Sequence, residues 1–388
     1  MKKKVIIFGS TGSIGKNLIN ILKKDKKNID ILILSAHDNY RDLLKQTKLF
    51  SVKNIIITNK VKFLKLKKLL FKKKINVFNN FNCIQAILKN NKVDYTMNAI
   101  SGLDGLEPTL KVIKYTKKIA IANKEALICG WSLIKKELQK NKTLFIPVDS
   151  EHFSIWSLIK KTSVKNIDKI FITASGGPFI KLPLKKFVNI TLNMALKHPN
   201  WSMGKKISID SATLMNKVFE IIEAKNIFNI NYNKLNILIH PKSYVHALVK
   251  FNNGLTKFLV HDTNMRIPIF NSFYSNHEKK IKSKNLNFSI LNNLEFKKVE
   301  QKRYPVIKIL SLLPNKNSLF ETVLVSANDS LVKLFMNNKI KFTDIAKYLL
   351  KILKSKEFIK YKQIYPSKLI QIKKLNNYVS LKINSLSI

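Results

Sequence analysis

The chain has 388 residues, enough for two or three domains, and its hydrophobic content of 45% is that of a folded protein rather than a disordered one. Lysine and arginine number 71 against 23 acidic residues, a net charge of +48, but the lysines are spread over nearly every segment, so we expect nonspecific polyanion affinity and no specific nucleic-acid partner. Two cysteines are too few for a disulfide framework or a cysteine-based zinc site, so we expect a cytoplasmic protein. No apolar run approaches the roughly 18 residues of a membrane span, so we expect no membrane partner.

The first 149 residues alternate short apolar runs with stretches of helical period. This alternation is typical of a parallel sheet with helices on both faces. The predicted strands cover residues 5–8, 31–34, 54–57, 93–97, 118–121 and 144–146.

A glycine-rich turn joins the first predicted strand to the first predicted helix. It has the sequence GSTGSIG at residues 9–15, and Leu18, Ile19 and Leu22 follow at helical spacing. In a Rossmann fold, such a turn binds a pyrophosphate on the N–H groups of a helix N-terminus. The spacing is GxxGxxG rather than GxGxxG, so dinucleotide binding is favoured over a plain tight turn without excluding it.

The second predicted strand ends where a dinucleotide fold contacts the adenosine ribose. His37, Asp38 and Asn39 lie there. Asp38 favours the free ribose hydroxyls of NAD, whereas His37 together with Arg41 favours a 2′-phosphate. A solvated turn is an equally open interpretation.

Residues 61–74 form a basic amphipathic stretch. We expect a helix that covers the sheet and presents a lysine outer face. A helix that lies on a membrane or meets nucleic acid is the less favoured alternative.

Polar residues follow two later strands. Asn123, Lys124 and Glu125 come after one strand, at the sheet edge where ligands bind in this architecture, although a simple helix N-cap explains them too.

Asp149 and Glu151 follow the last strand with Ser150 between them. At an extended strand end, both carboxylates point to one side and suit a hard divalent ion. The alternative is a solvated acidic loop.

A second domain is predicted to begin after residue 150. Ser175 lies in a small-residue turn able to bind an anion. Residues 198–204 form a loop in which Trp201 is either a packing anchor or part of a lid, with His198 at its base and Gly204 as a hinge.

Residues 207–223 carry the most informative pattern. We expect a short strand at 207–209 that passes through a Ser/Asp cap into a helix. On that helix Asn216, Lys217, Glu220 and Glu223 share one stripe. The stripe is either a set of surface pairs or a grip for a phosphate and a metal ion.

The remaining pattern predicts an open, half-antiparallel sheet and a helical C-terminus. Strands are expected at 235–239, 245–251 and 255–260, the last two as a hairpin that leaves an edge or dimer face. His240, His246 and His261 cluster here and are interpreted as structural or interface residues. Residues 271–294 are polar and lysine-rich, as in a linker, and helical periods follow from residue 304.

Taken in order along nearly the full chain, these motifs resemble those of the 1-deoxy-D-xylulose-5-phosphate reductoisomerase family. Each motif alone is modest, but their order and spacing are specific. The residues that carry the resemblance are 9–15, 123–125, 147–152, 175–179, 198–223, 239–241, 265–266 and 342–345.

The resemblance implies a homodimeric enzyme that binds NADPH, a phosphorylated sugar and a divalent Mn²⁺, Mg²⁺ or Co²⁺ ion. By analogy, the cofactor would be held by Thr11, Gly12, Ser13, Ile14, Asn39, Asn123, Glu125 and Gly204, with His37 and Asp38 beside the ribose. The metal would be held by Asp149, Glu151 and Glu220. The substrate would be held by Lys124, Ser150, Ser175, His198, Ser211, Asn216 and Lys217, under a lid that includes Trp201 and Met203.

The implied reaction is a metal-dependent rearrangement of 1-deoxy-D-xylulose 5-phosphate, followed by NADPH reduction to 2-C-methyl-D-erythritol 4-phosphate. The expected fold is α/β, with an N-terminal Rossmann-type parallel sheet, a central α+β domain and a small helical domain. The expected divisions are an NADPH-binding domain at 1–149, a catalytic and dimerisation domain at 150–275, a linker at 276–300 and a C-terminal helical domain at 301–388.

Two other functions are weighed against this one. A different NADP-linked oxidoreductase, such as a homoserine or semialdehyde dehydrogenase, would not explain three metal-suited carboxylates beside the Asn216 and Lys217 stripe. A basic nucleic-acid-binding protein would show specific binding that survives about 200 mM salt, which diffuse lysines do not provide.

The resembling family usually carries a small residue and a basic residue where this chain has His37 and Asp38. This difference bears on the preference for NADPH over NADH, which can be tested. NADPH is expected to remain preferred, with reduced discrimination against NADH. Asp38→Lys should sharpen the preference, since it replaces a carboxylate near the 2′-phosphate with an ammonium group. The measurement is kcat/KM with each coenzyme, and equal or better use of NADH by the unaltered chain would contradict the expectation.

Overall fold

A computed structural model describes residues 2–89, 92–160, 162–201, 203–274 and 279–385. Ser202 of the predicted lid and residues 276–278 of the predicted linker lie outside the described residues. The chain forms two compact units. Unit 1 comprises Met1–Leu127, Leu133–Asp149 and Met265–Lys282, and unit 2 comprises Ile128–Ser132, Ser150–Asn264 and Ser283–Ile388.

Unit 1 is built on a parallel sheet. Its described strands are β1 (Lys3–Phe8), β2 (Ile29–Ala36), β3 (Asn54–Ile57), β4 (Asn76–Phe78), β5 (Val93–Asn98), β6 (Thr116–Ile121) and β7 (Leu144–Pro147). Their order is β4-β3-β2-β1-β5-β6-β7. This is a doubly wound arrangement, in which the order of successive strands reverses between β1 and β5 while all strands stay parallel. The predicted α/β class is therefore confirmed. The short edge strand β4 was not predicted, because three residues are too few for a periodic signal.

Helices connect these strands and form most of the C-terminal third. The α-helices of the described residues are α1 (Ser13–Lys23), α2 (Tyr40–Phe50), α3 (Lys60–Leu69), α4 (Cys83–Leu88), α5 (Leu106–Ile113), α6 (Lys124–Cys129), α7 (Trp131–Asn141), α8 (Ser150–Ile159), α9 (Leu192–Ala195), α10 (Lys205–Ala212), α11 (Met215–Phe228), α12 (Arg266–Phe273), α13 (Phe288–Asn292), α14 (Phe320–Met336), α15 (Phe342–Leu353), α16 (Lys356–Ile359) and α17 (Leu369–Asn384). Short 3₁₀ helices cover Lys26–Asn28, Leu103–Gly105, Val164–Asn166, Leu184–Asn189, Tyr232–Lys234, Pro305–Leu312 and Lys360–Gln363. None of these described helices has the length and apolarity of a membrane span.

The core of unit 1 lies between its sheet and the inner faces of its helices. Leu18 and Leu22 of α1 are four residues apart, so they share one face, and both are fully buried. Helix α12 packs into the same core, and the Tyr95 and Ser272 hydroxyl groups form a 2.7 Å hydrogen bond between β5 and α12. This packing groups Met265–Lys282 with the N-terminal part of the chain, whereas the sequence division placed it in the catalytic domain and linker.

Unit 2 contains a mixed sheet. Its strands are β8 (Ile167–Ala174), β9 (Leu235–Ile239), β10 (Val245–Phe251), β11 (Thr256–Val260) and β12 (Lys297–Lys298), in the order β11-β10-β8-β9-β12. Only the β8–β9 pair is parallel among these described pairings. The predicted hairpin is present, and α13 and β12 show that part of the predicted linker is structured.

Two local predictions are wrong. Residues 207–209 belong to α10 rather than to a strand, and Leu214 ends that segment with a φ of +68° before α11 begins. The alternation of apolar and polar residues at 207–209 had indicated a strand with Ser208 on its solvent face. In the structure Ser208 is buried on the helix, as Asp210 is. Likewise, Glu151 lies in the first turn of α8, which begins at Ser150, so the extended geometry that was expected to align it with Asp149 is not present.

The turn after β1 generates a stability test. Gly9 has a φ of +69°, and a Cβ atom there would lie 2.6 Å from the carbonyl oxygen of Ala99. Gly102, in the same unit, has a φ of +74°, but no described atom lies within 4 Å of the corresponding position. Gly102→Ala should therefore lower the free energy of unfolding by only about 1–2 kcal/mol, through backbone strain. Gly9→Ala should lower it by about 1–3 kcal/mol more, through overpacking. Equal losses in thermal unfolding of the two variants would contradict this account.

Candidate active site

The glycine-rich turn places four predicted cofactor residues at the N-terminus of α1. Gly12 is the N-cap, and Thr11, Ser13 and Ile14 adjoin it. The N–H group of Gly12 donates to the carbonyl of Gly9 over 3.1 Å, which closes the turn. The first N–H groups of a helix have no partner within the helix, so this exposed end suits a pyrophosphate.

The residues after β2 lie at the same edge of the sheet, because β2 pairs with β1. The Ser35 hydroxyl accepts a 2.9 Å hydrogen bond from the N–H group of Gly9 and so ties this strand to the turn. His37 and Asp38 are exposed, and the His37 ring lies 2.9 Å from the Thr58 hydroxyl. Asn39 caps α2 by accepting from the N–H group of Asp42.

The residues after β6 are held firmly. Asn123 is buried, and its side-chain amide donates to the carbonyls of Ile100 and Gly102. Its carbonyl oxygen accepts from the N–H group of Ala126 over 2.6 Å, so Asn123 also caps α6. Glu125 follows in the first turn of α6.

Lys124 and Asp149 form an ion pair within unit 1. Their side chains are 12% and 22% exposed, so the pair remains accessible at the end of β7. The sequence singled out both residues but did not pair them, since 25 positions separate them along the chain.

Unit 2 contains a buried charge cluster formed by Glu151, Lys217 and Glu220. The Lys217 ammonium group donates to Glu151 Oε1 and, over 2.6 Å, to Glu220 Oε2. The three residues are 9%, 7% and 1% exposed, respectively. The stripe on α11 is therefore not a set of surface pairs, because Glu220 converges with Glu151 on the ammonium group of Lys217.

Neutral polar groups complete this cluster. The Ser150 hydroxyl donates to Glu151 Oε2 over 2.5 Å, and the Asn216 amide donates to Glu220 Oε1 over 2.5 Å. The Asn216 carbonyl oxygen is buried and has no hydrogen-bond partner among the described residues. It is therefore available to a ligand.

His152 is a positioning residue that the sequence reasoning missed. Its Nε2 atom donates over 2.8 Å to the main-chain carbonyl of Glu220 and so fixes α11 against α8. The ring is fully buried, and Nδ1 lies 3.9 Å from Glu223 Oε2. The only available signal was a histidine next to an acidic pair in an apolar run.

Ser175 and His198 form a second polar pair. The His198 Nδ1 atom accepts from the N–H groups of Asn200 and Trp201 over 3.2 and 3.0 Å, so the ring hydrogen lies on Nε2 and is donated to the Ser175 hydroxyl over 3.1 Å. That hydroxyl also accepts from the N–H group of Gly177 over 3.0 Å. Ser175 is therefore left to donate its own hydrogen to an anion.

The predicted lid is anchored at its base. The Asn200 amide donates to the Pro241 carbonyl over 2.7 Å and to the Ser243 hydroxyl over 2.9 Å, a role that the sequence did not reveal. The Trp201 ring meets the His246 ring edge to face at 6.2 Å. His246 in turn stacks on His261 at 3.8 Å, whereas His240 packs on Phe296. Gly204 caps α10, and Ser211 lies half-buried on that helix.

These features define a class of protein. A doubly wound sheet with a glycine-rich turn at the start of α1 is the framework of a dinucleotide-dependent oxidoreductase. Unit 2 adds buried carboxylates suited to a hard cation and hydroxyl, amide and ammonium groups suited to an anion.

Three models of one family match the chain. The 1-deoxy-D-xylulose 5-phosphate reductoisomerase model matches residues 5–130, and the two C-terminal domain models of that enzyme match residues 145–228 and 261–378. The chain belongs to the 1-deoxy-D-xylulose 5-phosphate reductoisomerase family, and it is an enzyme.

Individual relatives agree with the family models. The reductoisomerase of Pelagibacter ubique is 63% identical, with all of both chains covered, and that of a Sulfurihydrogenibium species is 37% identical over 92% of each chain. Among solved structures, the Zymomonas mobilis reductoisomerase in complex with NADPH superposes with a TM-score of 0.89 at 29% identity over the whole of both chains. A reductoisomerase in complex with NADPH, fosmidomycin and magnesium has the same TM-score at 28% identity, covering 99% of this chain and 98% of its own.

The environment of His198 generates a pH prediction. Burial, and secondarily the charge of Lys217, lowers the pKa of His198 from 6.5 to about 4. The neutral ring therefore contributes stability above pH 6.5 that is lost as the pH falls through about 4. NMR of the imidazole nitrogens, assigned with His198→Gln, should show the Nε2–H tautomer and a midpoint near 4.

Lys217→Met provides the comparison for that measurement. It should raise the midpoint of His198 only in part, because burial is the larger cause of the shift. A midpoint near 6.5 in the unaltered chain, or an Nδ1–H tautomer, would contradict the geometry.

Proposed function

We propose that the chain converts 1-deoxy-D-xylulose 5-phosphate to 2-C-methyl-D-erythritol 4-phosphate in non-mevalonate isoprenoid biosynthesis. It is an NADP-dependent oxidoreductase that uses NADPH and a divalent metal ion. Identity of 63% along the whole chain to a reductoisomerase supports this reaction. The observation that carries it in this chain is the buried convergence of Glu151 and Glu220 on one cation.

The metal ion is proposed to bind to Asp149, Glu151 and Glu220. Carboxylate oxygens are the ligands that Mg²⁺ and Mn²⁺ prefer. Two buried carboxylates repel each other unless a cation lies between them, and Lys217 supplies that cation here. The fit to a divalent ion rests on the three carboxylates, which are the type of ligand that a hard cation takes.

The substrate is proposed to bind mainly to residues of unit 2. Its phosphate would accept hydrogen bonds from Ser175, Ser211, Asn216 and Lys217. Support comes from the Ser175 hydroxyl, which is left as a donor, and from the amide and ammonium groups of α11. Lys124, Ser150 and His198 would contact the rest of the substrate, and Trp201 and Met203 would close over it.

The cofactor is proposed to bind along the edge of the parallel sheet in unit 1. Its pyrophosphate would meet the N-terminus of α1, and its ribose would lie beside the end of β2. The proposed residues are Thr11, Gly12, Ser13, Ile14, His37, Asp38, Asn39, Asn123, Glu125 and Gly204.

The chemistry follows from these roles. When bound, the divalent ion supplies Lewis-acid polarisation of the substrate's ketone and hydroxyl oxygens. Ser150 and Asn216 orient the carboxylates, and His198 orients the Ser175 hydroxyl toward the phosphate. The substrate skeleton rearranges to an aldehyde by retro-aldol and aldol steps, and the aldehyde is reduced at the expense of NADPH. Closure of the lid around Trp201 excludes water from that aldehyde.

The assembly and location of the chain are further proposals. We propose a homodimer formed through unit 2, where the edge strand β11 and the turn before it expose Phe258 and Leu255. A chain of this length with two cysteines is not built on a disulfide framework, which supports a reducing cytoplasm. The functional division at residues 149, 275 and 300 likewise remains a proposal.

A rate measurement tests the function. The unaltered chain should oxidise NADPH when given 1-deoxy-D-xylulose 5-phosphate and Mn²⁺, and Asp149→Asn should reduce this rate by at least about a hundredfold. Glu107→Gln is the matched control, because Glu107 pairs with Lys111 on the surface of α5 and should leave the rate unchanged.

Metal binding separates the possible causes of a lost rate. Calorimetry with Mn²⁺ alone should show weaker binding for Asp149→Asn and unchanged binding for Glu107→Gln. An inactive unaltered chain, or an Asp149→Asn variant with a full rate, would refute the assignment.

A further inference from the structure

Helix α3 and the turn that follows it carry apolar side chains on two faces. Phe63, Leu66 and Leu70 pack against the core of unit 1. Val61 and Leu64, three positions apart on one face, are 71% and 59% exposed. The sequence predicted a lysine outer face, so these exposed apolar side chains are an unexpected feature of the structure.

The exposed apolar surface continues past the end of the helix. Phe71 is 85% exposed and Leu69 is 53% exposed. Together with Val61 and Leu64, they place four large apolar side chains in solvent within eleven positions. Surface lysines explain the net charge of the chain, but they do not explain a cluster of this kind.

The charge of the segment is entirely positive. Eight of the fifteen residues from 60 to 74 are lysines, the other seven are large and apolar, and none is acidic. The exposed lysines of the segment are Lys60, Lys65, Lys67, Lys68, Lys72, Lys73 and Lys74. Apolar tips therefore stand among ammonium groups on the same surface.

We infer that residues 60–74 form a docking surface for an anionic phospholipid bilayer. An interfacial helix keeps its lysines at the depth of the lipid headgroups and inserts phenylalanine and leucine about 5–10 Å into the acyl boundary. The lysines are attracted to anionic lipids, and this attraction is screened by salt. The docking is peripheral and reversible, since the apolar face is short and the inner face stays in the core.

Two other occupants fit less well. The phosphates of a nucleic acid would pair with the lysines but would leave Val61, Leu64 and Leu69 exposed, and the segment has no arginine to recognise bases. A second copy of the chain would bring the same eight lysines against each other, and like charges in close contact repel. Of these three occupants, an anionic lipid surface matches both the charge and the apolar tips.

The test is co-sedimentation of the full chain with lipid vesicles. Vesicles with about 30% phosphatidylglycerol should bind the chain at about 0.15 M salt, and vesicles of phosphatidylcholine alone should bind it at least about tenfold more weakly. Equal binding to both compositions would overturn the inference.

Matched variants separate this segment from the diffuse charge of the chain. Replacing Lys67, Lys68 and Lys72 by Gln should weaken binding at least about tenfold. The same change at three exposed lysines of α15 and its C-cap, Lys347, Lys351 and Lys354, should weaken binding less than about twofold. Equal losses would show that charge alone attracts the chain to the vesicles, which would overturn the inference.

A second pair of variants tests the apolar tips. Leu64→Ser with Phe71→Ser should weaken vesicle binding at least about tenfold, and Ile370→Ser with Leu381→Ser, similarly exposed on α17, should leave it unchanged. The NADPH oxidation rate should be retained by every variant, because none of these residues belongs to the proposed site. With vesicle binding intact, loss of self-association in the Leu64 and Phe71 variant would assign the surface to a second copy of the chain. Loss of duplex DNA binding in the Lys67, Lys68 and Lys72 variant, again with vesicle binding intact, would assign it to nucleic acid.

Discussion

The arrangement of unit 2 depends on the neutralisation of two buried carboxylates by one buried ammonium group. Glu151 and Glu220 come from different helices, and both lie against Lys217. Removing water from such charges is unfavourable unless they are paired and hydrogen-bonded, and loss of one partner typically costs about 3–5 kcal/mol. Helices α8 and α11 must therefore keep a fixed register, and His152 maintains it by binding the main chain at Glu220.

The opposite faces of these two helices explain why the cluster is held so firmly. Apolar residues of α8 and α11 pack on the mixed sheet, so one face of each helix builds the core while another presents the charges. A site carried by packed helices is positioned more accurately than a site on loops. The core residues that provide this support are Ile155 and Ile159 of α8 and Ile221, Ala224 and Phe228 of α11.

The lysine-rich composition conceals a difference between kinds of lysine. Lys124 and Lys217 are largely buried and paired with carboxylates, whereas most others are solvated. Exposed lysines tolerate substitution because water and salt screen them, but a buried ammonium group must have a specific partner. Net charge alone therefore describes the surface of this protein and says nothing about its site.

The sequence by itself determined the α/β class, six of the seven strands of the parallel sheet and the candidate residues of the site. The periodicity of apolar residues and the glycine-rich turn are local signals, so they can be recognised without knowledge of the fold. The same signals failed at residues 207–209, which lie in a helix instead of the expected strand, and at Glu151, which lies in the first turn of α8 instead of at an extended strand end.

Only the tertiary structure decided which charges meet. Lys124 pairs with Asp149, Lys217 joins Glu151 to Glu220, and Ser175 meets His198 across 23 positions. It also decided that residues 60–74 expose apolar side chains as well as lysines. Contacts between distant positions, and the choice of which face of a helix is buried, depend on how the elements pack, and no local period records that choice.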